Sequence, residues 1–482
     1  MRAVTRPLAG VESLSSAAAG SRNANIELGN LTICPGERQV RSDAATVTVE
    51  PLVMQLLVLL SRRAGQLVSR RDIFAECWGE SPVGEDSLNR IVAIARKVLT
   101  QTAGAGIRIE TVPGAGYVLR LSGDDAAATP DQSRAAIDAA VDSWRMGLPE
   151  PDHLRLELLR RACLQESGNA LAWGMLALLA RHAAEYDTAP AVQHHVSECE
   201  RAAARALALD PAQPEARTAL ICVVPLFGRW AEGRRQLQKI LGGAPNCFAA
   251  REELAVLEMA TGRVRASMEM RAQLLSADPL AACYSHKAIY QLWSIGRITE
   301  MDHVGDRAMQ LWPSHPAIWM ARLWSLAYTD RVAAAGAMVE DSTTRPAMPA
   351  PALEFLRQVF RGLAECSNAA REHIVAASHG AARTGPANAL AAMFALSLID
   401  RRDDVFSLAE AYYLRAGNAP VPIGHTSAEP SLNEQHRRVT QILFTPVFDK
   451  WRHEDRFLSL CDRIGLNDYW EQTGLVPDFL AD

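Results

Sequence analysis

Long apolar runs are the first thing this 482-residue sequence lacks. Its longest, residues 52–60 and 170–180, reach about half of the ~18 residues a membrane-spanning helix needs, so no membrane partner is expected. Aromatic side chains are scarce, at 6%, which leaves the cores to small and aliphatic residues. The nine cysteines are scattered from Cys34 to Cys461, odd in number and without a CxxC pair. That pattern argues against a disulfide framework and points to a reducing compartment, the cytoplasm. Catalytic signatures are missing as well: there is no Walker-A sequence, no GxSxG elbow and no HExxH. Gly104-Ala-Gly106 and Gly114-Ala-Gly116 lack the strand-to-helix setting that cradles a phosphate. Neither His194-His195, nor His373 with His379, has i,i+4 spacing or a nearby cysteine/carboxylate set that would make a zinc site convincing, and they read as helix-surface residues. No catalytic residue, cofactor or metal is expected.

The formal net charge of −5 conceals an uneven split. Residues 1–121 carry 14 basic and 11 acidic side chains, whereas residues 122–482 carry 36 and 44. A slightly basic first part and an acidic remainder imply two kinds of partner. The small, polar segment Ser122-Gly-Asp-Asp-Ala-Ala-Ala-Thr-Pro130 marks a compositional boundary at the same place. Four parts follow. Residues 1–25 are Ala/Ser/Gly-rich, lack an apolar core of signal-peptide length and read as a disordered leader. Residues 26–121 mix α and β, 122–131 form a linker, and 132–482 are helical almost throughout, ending in a cap.

Within the first part, residues 31–33, 39–40 and 47–49 read as short antiparallel strands, with a turn at Pro35-Gly36. Glu50-Pro51 opens a helix with proline at its first position and Gly65 as its stop. Ser69-Arg-Arg-Asp72 has capping-box spacing and starts a second helix, in which Ile73, Phe74, Cys77 and Trp78 face inward. A third helix, residues 85–100, puts Leu88, Ile91, Val92, Ala95, Val98 and Leu99 on one face and leaves Asn89, Arg90, Ala93, Arg96 and Lys97 on the other. That outer face has three cations and no acid after Asp86, while Glu85 and Asp86 occupy the end where the helix dipole favours them. Residues 107–112, the turn Pro113-Gly-Ala-Gly116 and residues 117–121 close a hairpin. The order is that of a winged helix-turn-helix.

Thr48-Val-Glu-Pro51, Leu67-Val-Ser-Arg70, Cys77-Trp-Gly79, Asp86-Ser-Leu-Asn89, Arg96-Lys-Val-Leu99 and Thr111-Val-Pro-Gly-Ala-Gly-Tyr117 are the markers. Together they resemble the winged-helix effector domain of OmpR/PhoB-type transcription regulators, over residues 26–121. The resemblance implies a third helix in the major groove of double-stranded DNA and a hairpin wing against the adjacent minor groove or phosphates. Asn89, Arg90 and Ala93 would then face base edges, and Arg96 and Lys97 would hold phosphates. Gly114 and Ala115 would bring the wing to the duplex, flanked by Arg108 and Arg120. Ala115 and Val118 stand where related wings often carry arginine. RNA polymerase is the implied second partner. With no receiver domain ahead of residue 26 and no transmembrane segment after the winged helix, the expectation is a chain without its own phosphorelay and with a soluble sensor, if any.

The remainder carries an internal beat. Gly228-Arg229, Gly262-Arg263 and Gly296-Arg297 recur every 34 residues, and Asp330-Arg331 takes the next step. Pro211, Pro245, Pro279 and Pro313 keep the same interval, offset by 17. Each interval has room for two helices of about a dozen residues, parted by a turn in which glycine takes left-handed backbone. Period and punctuation resemble tetratricopeptide repeats. Residues 214–247, 248–281, 282–315 and 316–349 are the clear units. An earlier unit at 169–211 reads as interrupted by an insertion at 186–193, and beyond 349 come divergent repeats, a proline-containing loop at 419–430 and a packed cap. Such a stack is quasi-one-dimensional and offers a concave surface to a protein, a peptide or a second copy of itself. Arg229, Arg263, Arg297 and Arg331 suggest a ladder that grips an acidic partner. The plainer alternative is that arginine suits a solvated turn beside the last carbonyls of a helix. Trp293, Trp312, Trp319 and Trp324 read as core.

The expected fold class is therefore multidomain: an α+β winged helix-turn-helix followed by an all-α, tetratricopeptide-like solenoid, which resembles a HilA-like arrangement. The expected function is sequence-specific DNA binding by a transcriptional regulator, an activator, whose array takes in a signal, binds a partner or self-associates into a homo-oligomer. The alternative is a repeat scaffold whose winged helix contacts protein.

Overall fold

A computed structural model describes residues 25–28, 31–42, 45–65, 67–78, 85–103, 107–112, 116–121, 130–187, 189–417, 421 and 440–481. Apart from Asn25, the expected leader lies outside them, as do residues 122–129 of the linker and nearly all of the 419–430 loop. The chain divides into two compact units, Met1–Thr129 and Pro130–Asp482.

In the first unit, β1 (Ile26–Leu28), β2 (Leu31–Cys34), β3 (Gln39–Ser42) and β4 (Thr46–Thr48) form an antiparallel meander in chain order. α1 (Pro51–Arg62) begins at the expected proline and turns Val53, Leu56, Leu57 and Leu60 fully inward. β5 (Leu67–Ser69) is a strand that sequence reading did not anticipate, because three residues are too few to show alternation. α2 (Arg70–Trp78) follows directly, and Ser69 Oγ accepts the Asp72 backbone N–H at 3.0 Å as the expected cap. α3 (Glu85–Ala103) leads into β6 (Ile107–Val112) and β7 (Gly116–Leu121), which pair with β5 in the antiparallel order β5-β7-β6. A Cβ on Gly116 would collide with the Val68 carbonyl oxygen, so only glycine fits where β7 crosses β5. Leu31, Ile33, Leu57, Ile73, Leu88 and Leu119 join sheets and helices in one core.

The second unit starts with α4 (Pro130–Met146), inside the segment expected as linker. α5 (His153–Gln165), α6 (Ala170–Tyr186) and α7 (Ala189–Leu209) follow. Of the expected insertion at 186–193, Tyr186 ends α6 and residues 189–193 open α7, and at 17 and 21 residues those helices hold the extra length. Next come helix pairs on the 34-residue beat: α8 (Pro214–Cys222) with α9 (Trp230–Gly243), α10 (Phe248–Ala260) with α11 (Val264–Ala277), α12 (Ala282–Ser294) with α13 (Ile298–Leu311), and α14 (Pro316–Ala327) with α15 (Val332–Glu340). The backbone N–H groups of Arg263, Arg297 and Arg331 reach carbonyls five residues back, at 2.9, 2.9 and 3.0 Å. This Schellman closure needs a left-handed residue just before it, supplied by Gly262, Gly296 and, at φ +59°, Asp330. α16 (Ala350–Glu365), α17 (Asn368–Ala382), α18 (Pro386–Leu398) and α19 (Arg402–Leu414) continue the array. Asp400, with φ +57°, and Arg401, whose N–H reaches Leu396 O at 3.0 Å, rebuild the same turn off the beat. Among the described residues no helix is long and apolar enough to cross a membrane.

The array is not an open stack. After α19 the chain returns through residues 440–451, α20 (Asp455–Ile464) and α21 (Leu466–Thr473) to the α10–α11 turn. There Thr440 Oγ1 donates to Ala260 O, Trp470 Nε1 donates to Thr261 O at 2.9 Å, and the Asp478 backbone N–H donates to Gly262 O at 2.9 Å. Asp478 Oδ2 in turn accepts the Arg265 N–H at 2.8 Å, at the start of α11. The cap thus covers the middle of the array as well as its end.

Candidate nucleic-acid interface

On α3 the hydrophobic spacing produces the expected division. Leu88, Ile91, Val92, Ala95, Val98 and Leu99 are buried, while Asn89, Arg90, Ala93, Arg96 and Lys97 form a continuous exposed stripe. The five are not equivalent. Neither Arg90 nor Lys97 makes a hydrogen bond or ion pair among the described residues, so both guanidinium and ammonium are available to a ligand. Arg96, though exposed, is committed to the hairpin: Nε donates to Ile109 O at 3.0 Å and Nη2 to Thr111 Oγ1 at 2.6 Å, tying α3 to β6. Its bonds position the stripe relative to the hairpin.

Tyr117, on β7, holds a role that its place in the segment Thr111-Val-Pro-Gly-Ala-Gly-Tyr117 does not reveal. Its ring is buried, with the guanidinium carbons of Arg70 and Arg96 at 5.5 and 6.0 Å from the centroid. Its hydroxyl donates to Asn89 Oδ1 at 3.2 Å, which fixes that amide and leaves its N–H groups outward as donors. On the hairpin, Arg108 and Arg120 stand directly opposite each other, and Glu110 accepts from Arg120 Nε at 3.0 Å. Arg108 is exposed, whereas the Arg120 side chain is 20% exposed. Gly114 and Ala115 lie outside the described residues.

The four repeat arginines are each held within their own chain. Arg229 pairs with Glu232 at 3.1 Å, Arg263 with Glu258 at 2.7 Å, Arg331 with Asp302 at 2.9 Å, and Arg297 with Glu300. The Arg263, Arg297 and Arg331 N–H groups close the preceding helix, whereas the Arg229 N–H bonds Leu226 O in the loop after α8. Elsewhere in the array a cavity of about 300 Å³ is lined by Arg181, Glu185, Glu252, Glu253, Lys287 and Tyr290. Arg181 bridges Glu185 and Glu253 at 3.1 and 3.0 Å, and Lys287 meets Glu252. Burial, with Arg271 nearby, pulls the Lys287 ammonium down to about 8. Eight of the nine thiols are buried. Burial pushes Cys77 up to about 11 and Cys163, Cys199 and Cys461 up to about 12, which keeps them as thiols at neutral pH.

Residues 44–119 match the family model described as transcriptional regulatory protein, C terminal, so the first unit is an OmpR/PhoB-type winged helix. The transcriptional regulator HilA of Salmonella typhimurium is 34% identical over 71 residues, which are 15% of this chain and 13% of that protein. The transcriptional activator CadC of Escherichia coli is 26% identical over 97 residues, 20% of this chain and 19% of that protein. The DNA-binding dual master transcriptional regulator RpaA of Synechocystis sp. is 33% identical over 105 residues, 21% of this chain and 43% of that protein. The chain therefore spans less than half the length of each of these relatives. Among solved structures, a tetratricopeptide repeat protein from Parabacteroides merdae aligns with 52% of this chain and 91% of that chain, with a TM-score of 0.31 and 14% identity. The helix pairs and their beat, rather than that superposition, carry the tetratricopeptide-like description of the second unit.

Proposed function

We propose that the chain is a sequence-specific, DNA-binding transcriptional activator of the cytoplasm, whose array takes in a signal, binds a partner protein or self-associates. The observation that carries the DNA reading is the α3 stripe, where Arg90 and Lys97 stand exposed and, among the described residues, unpaired in a segment that matches the regulator family. Arg90 and Asn89 face base edges in this reading, Arg90 as a two-pronged donor to guanine and Asn89 through its amide N–H groups. Lys97 holds a phosphate, and Arg96 acts by setting the angle between helix and wing. The wing, built from β6 and β7 and carrying Arg108 and Arg120, follows the adjacent backbone. RNA polymerase is the partner through which a bound activator of this kind works.

Selection of bound duplexes from a random library by the purified full chain, followed by salt titration on the selected site, tests the reading. Arg90→Ala is expected to cost ~1–3 kcal/mol and relax the preference at one position. Lys97→Ala is expected to weaken all sequences alike and lower the salt slope by about one. Unchanged binding after joint replacement of Arg90, Arg96 and Lys97 refutes the assignment of this face.

A further inference from the structure

Among the described residues, one set of three metal-ligating side chains converges at the start of the array. His153 opens α5, Asp187 is the C-cap of α6, and His195 lies on α7. His195 Nε2 is 2.8 Å from Asp187 Oδ2, His153 Nε2 is 3.8 Å from that same oxygen, and all three donor atoms lie within 4.8 Å of one another. The two imidazole planes are inclined by 30°, with ring centroids 6.0 Å apart. His195 is 4% exposed, and its Nδ1 is buried without a hydrogen-bond partner among the described residues. Among the described residues only the Asp187 carboxylate engages that ring through a hydrogen bond, at Nε2, the atom aimed at the cluster.

We propose that His153, Asp187 and His195 bind one divalent transition-metal ion of the zinc type, with water completing the coordination. Two imidazoles and one carboxylate are the donor set of zinc, cobalt or nickel, whereas magnesium and calcium select oxygen ligands. Donors at about 2.0–2.2 Å from a tetrahedral ion stand roughly 3.3 Å from each other. The 2.8 Å pair opens and the wider pairs close to reach that spacing, and most of the movement falls on His153, whose side chain is 54% exposed.

The placement gives the ion a consequence. The loop between α4 and α5 contributes Gly147 and Pro149 to the wall of the array cavity, and the last turns of α6 contribute His182, Glu185 and Tyr186. His182 Nε2 already meets Leu148 O at 3.0 Å across these two walls. His153 follows the first wall in sequence and Asp187 follows the second, so a bound ion fastens them together from outside the cavity. Metal occupancy is thereby an input to the shape of the unit that the winged helix carries.

The test uses the full chain, freed of metal by a chelator and titrated with zinc chloride in a calorimeter, with cobalt chloride and its visible d–d absorption as a second probe. One equivalent binds, and the melting temperature of the array rises. His153→Ala and Asp187→Asn each weaken binding by at least about tenfold, the loss that even an outer-shell change produces, and abolish the thermal shift. His194→Ala, an exposed neighbour, leaves both unchanged. His153 carries the test even if replacement of the buried His195 impairs folding, because its side chain is half in solvent. No saturable binding, binding indifferent to His153→Ala and Asp187→Asn, or binding lost in His194→Ala instead, overturns the proposal.

Discussion

Gly262→Ala and Gly296→Ala form a matched pair that isolates the contribution of the returning C-terminal segment. Both glycines close equivalent repeat turns, with φ of +85° and +74°, so alanine at either position meets the same left-handed penalty of about 1–2 kcal/mol. At Gly296 the new methyl group enters open space, with nothing within 4 Å. At Gly262 it would stand 2.7 Å from Pro477 Cβ and 2.9 Å from Phe444 Cε1, both brought there by the cap. Carbon atoms in van der Waals contact sit about 3.5–4.0 Å apart. One of the two partners must yield, and forced repacking of this kind adds about 1–3 kcal/mol. The expected result is a lower urea midpoint in both variants, with Gly262→Ala the less stable by that additional amount. Tryptophan fluorescence is a suitable probe because nine of the ten tryptophans lie in the second unit. Hydrogen exchange should show faster labelling of residues 440–481 in Gly262→Ala alone. Equal losses of stability in the two variants, or an unaltered cap in Gly262→Ala, would refute the reasoning.

Three further outcomes are expected. Arg96→Lys keeps the charge and loses the two-pronged attachment to β6, so the melting temperature of the winged helix should fall by the equivalent of about 1 kcal/mol while the salt slope of DNA binding is unchanged; an unshifted melt would contradict the structural role. Burial holds His182, His286 and His315 below the usual 6.5, with Lys287 adding to the effect at His286. The unfolded chain therefore takes up protons that the folded array refuses as pH falls through 6.5, and stability should decline by up to about 1.4 kcal/mol per pH unit for each histidine. Urea titrations between about pH 7.5 and 5.5 check this, and a flat profile would count against it. Asp330→Gly removes a side chain from left-handed backbone at φ +59° and restores the residue the other turns use, so the array should gain roughly 0.5–1 kcal/mol, read as a higher urea midpoint.

Much of this protein follows from local pattern. The burial stripe of α3, the proline start of α1, the Ser69 cap and the 34-residue helix pairs are all set by neighbours within one or two helical turns, and each was legible as spacing. The same locality explains the beat at 262–263, 296–297 and 330–331, since the Schellman closure joins residues five apart. Tertiary structure alone decided the rest, because the groups concerned are distant in sequence and carry no shared period. Arg96 and Arg90 look alike on a helical wheel, yet one meets β6 and the other meets solvent. Asp400 stands in a repeat turn that the drifted spacing conceals. The return of residues 440–481 to Gly262 depends on complementary surfaces that no periodicity encodes. His153 and His195 lie on two helices and Asp187 caps the end of a third, so the convergence of their nitrogen and oxygen atoms exists only after the chain has folded.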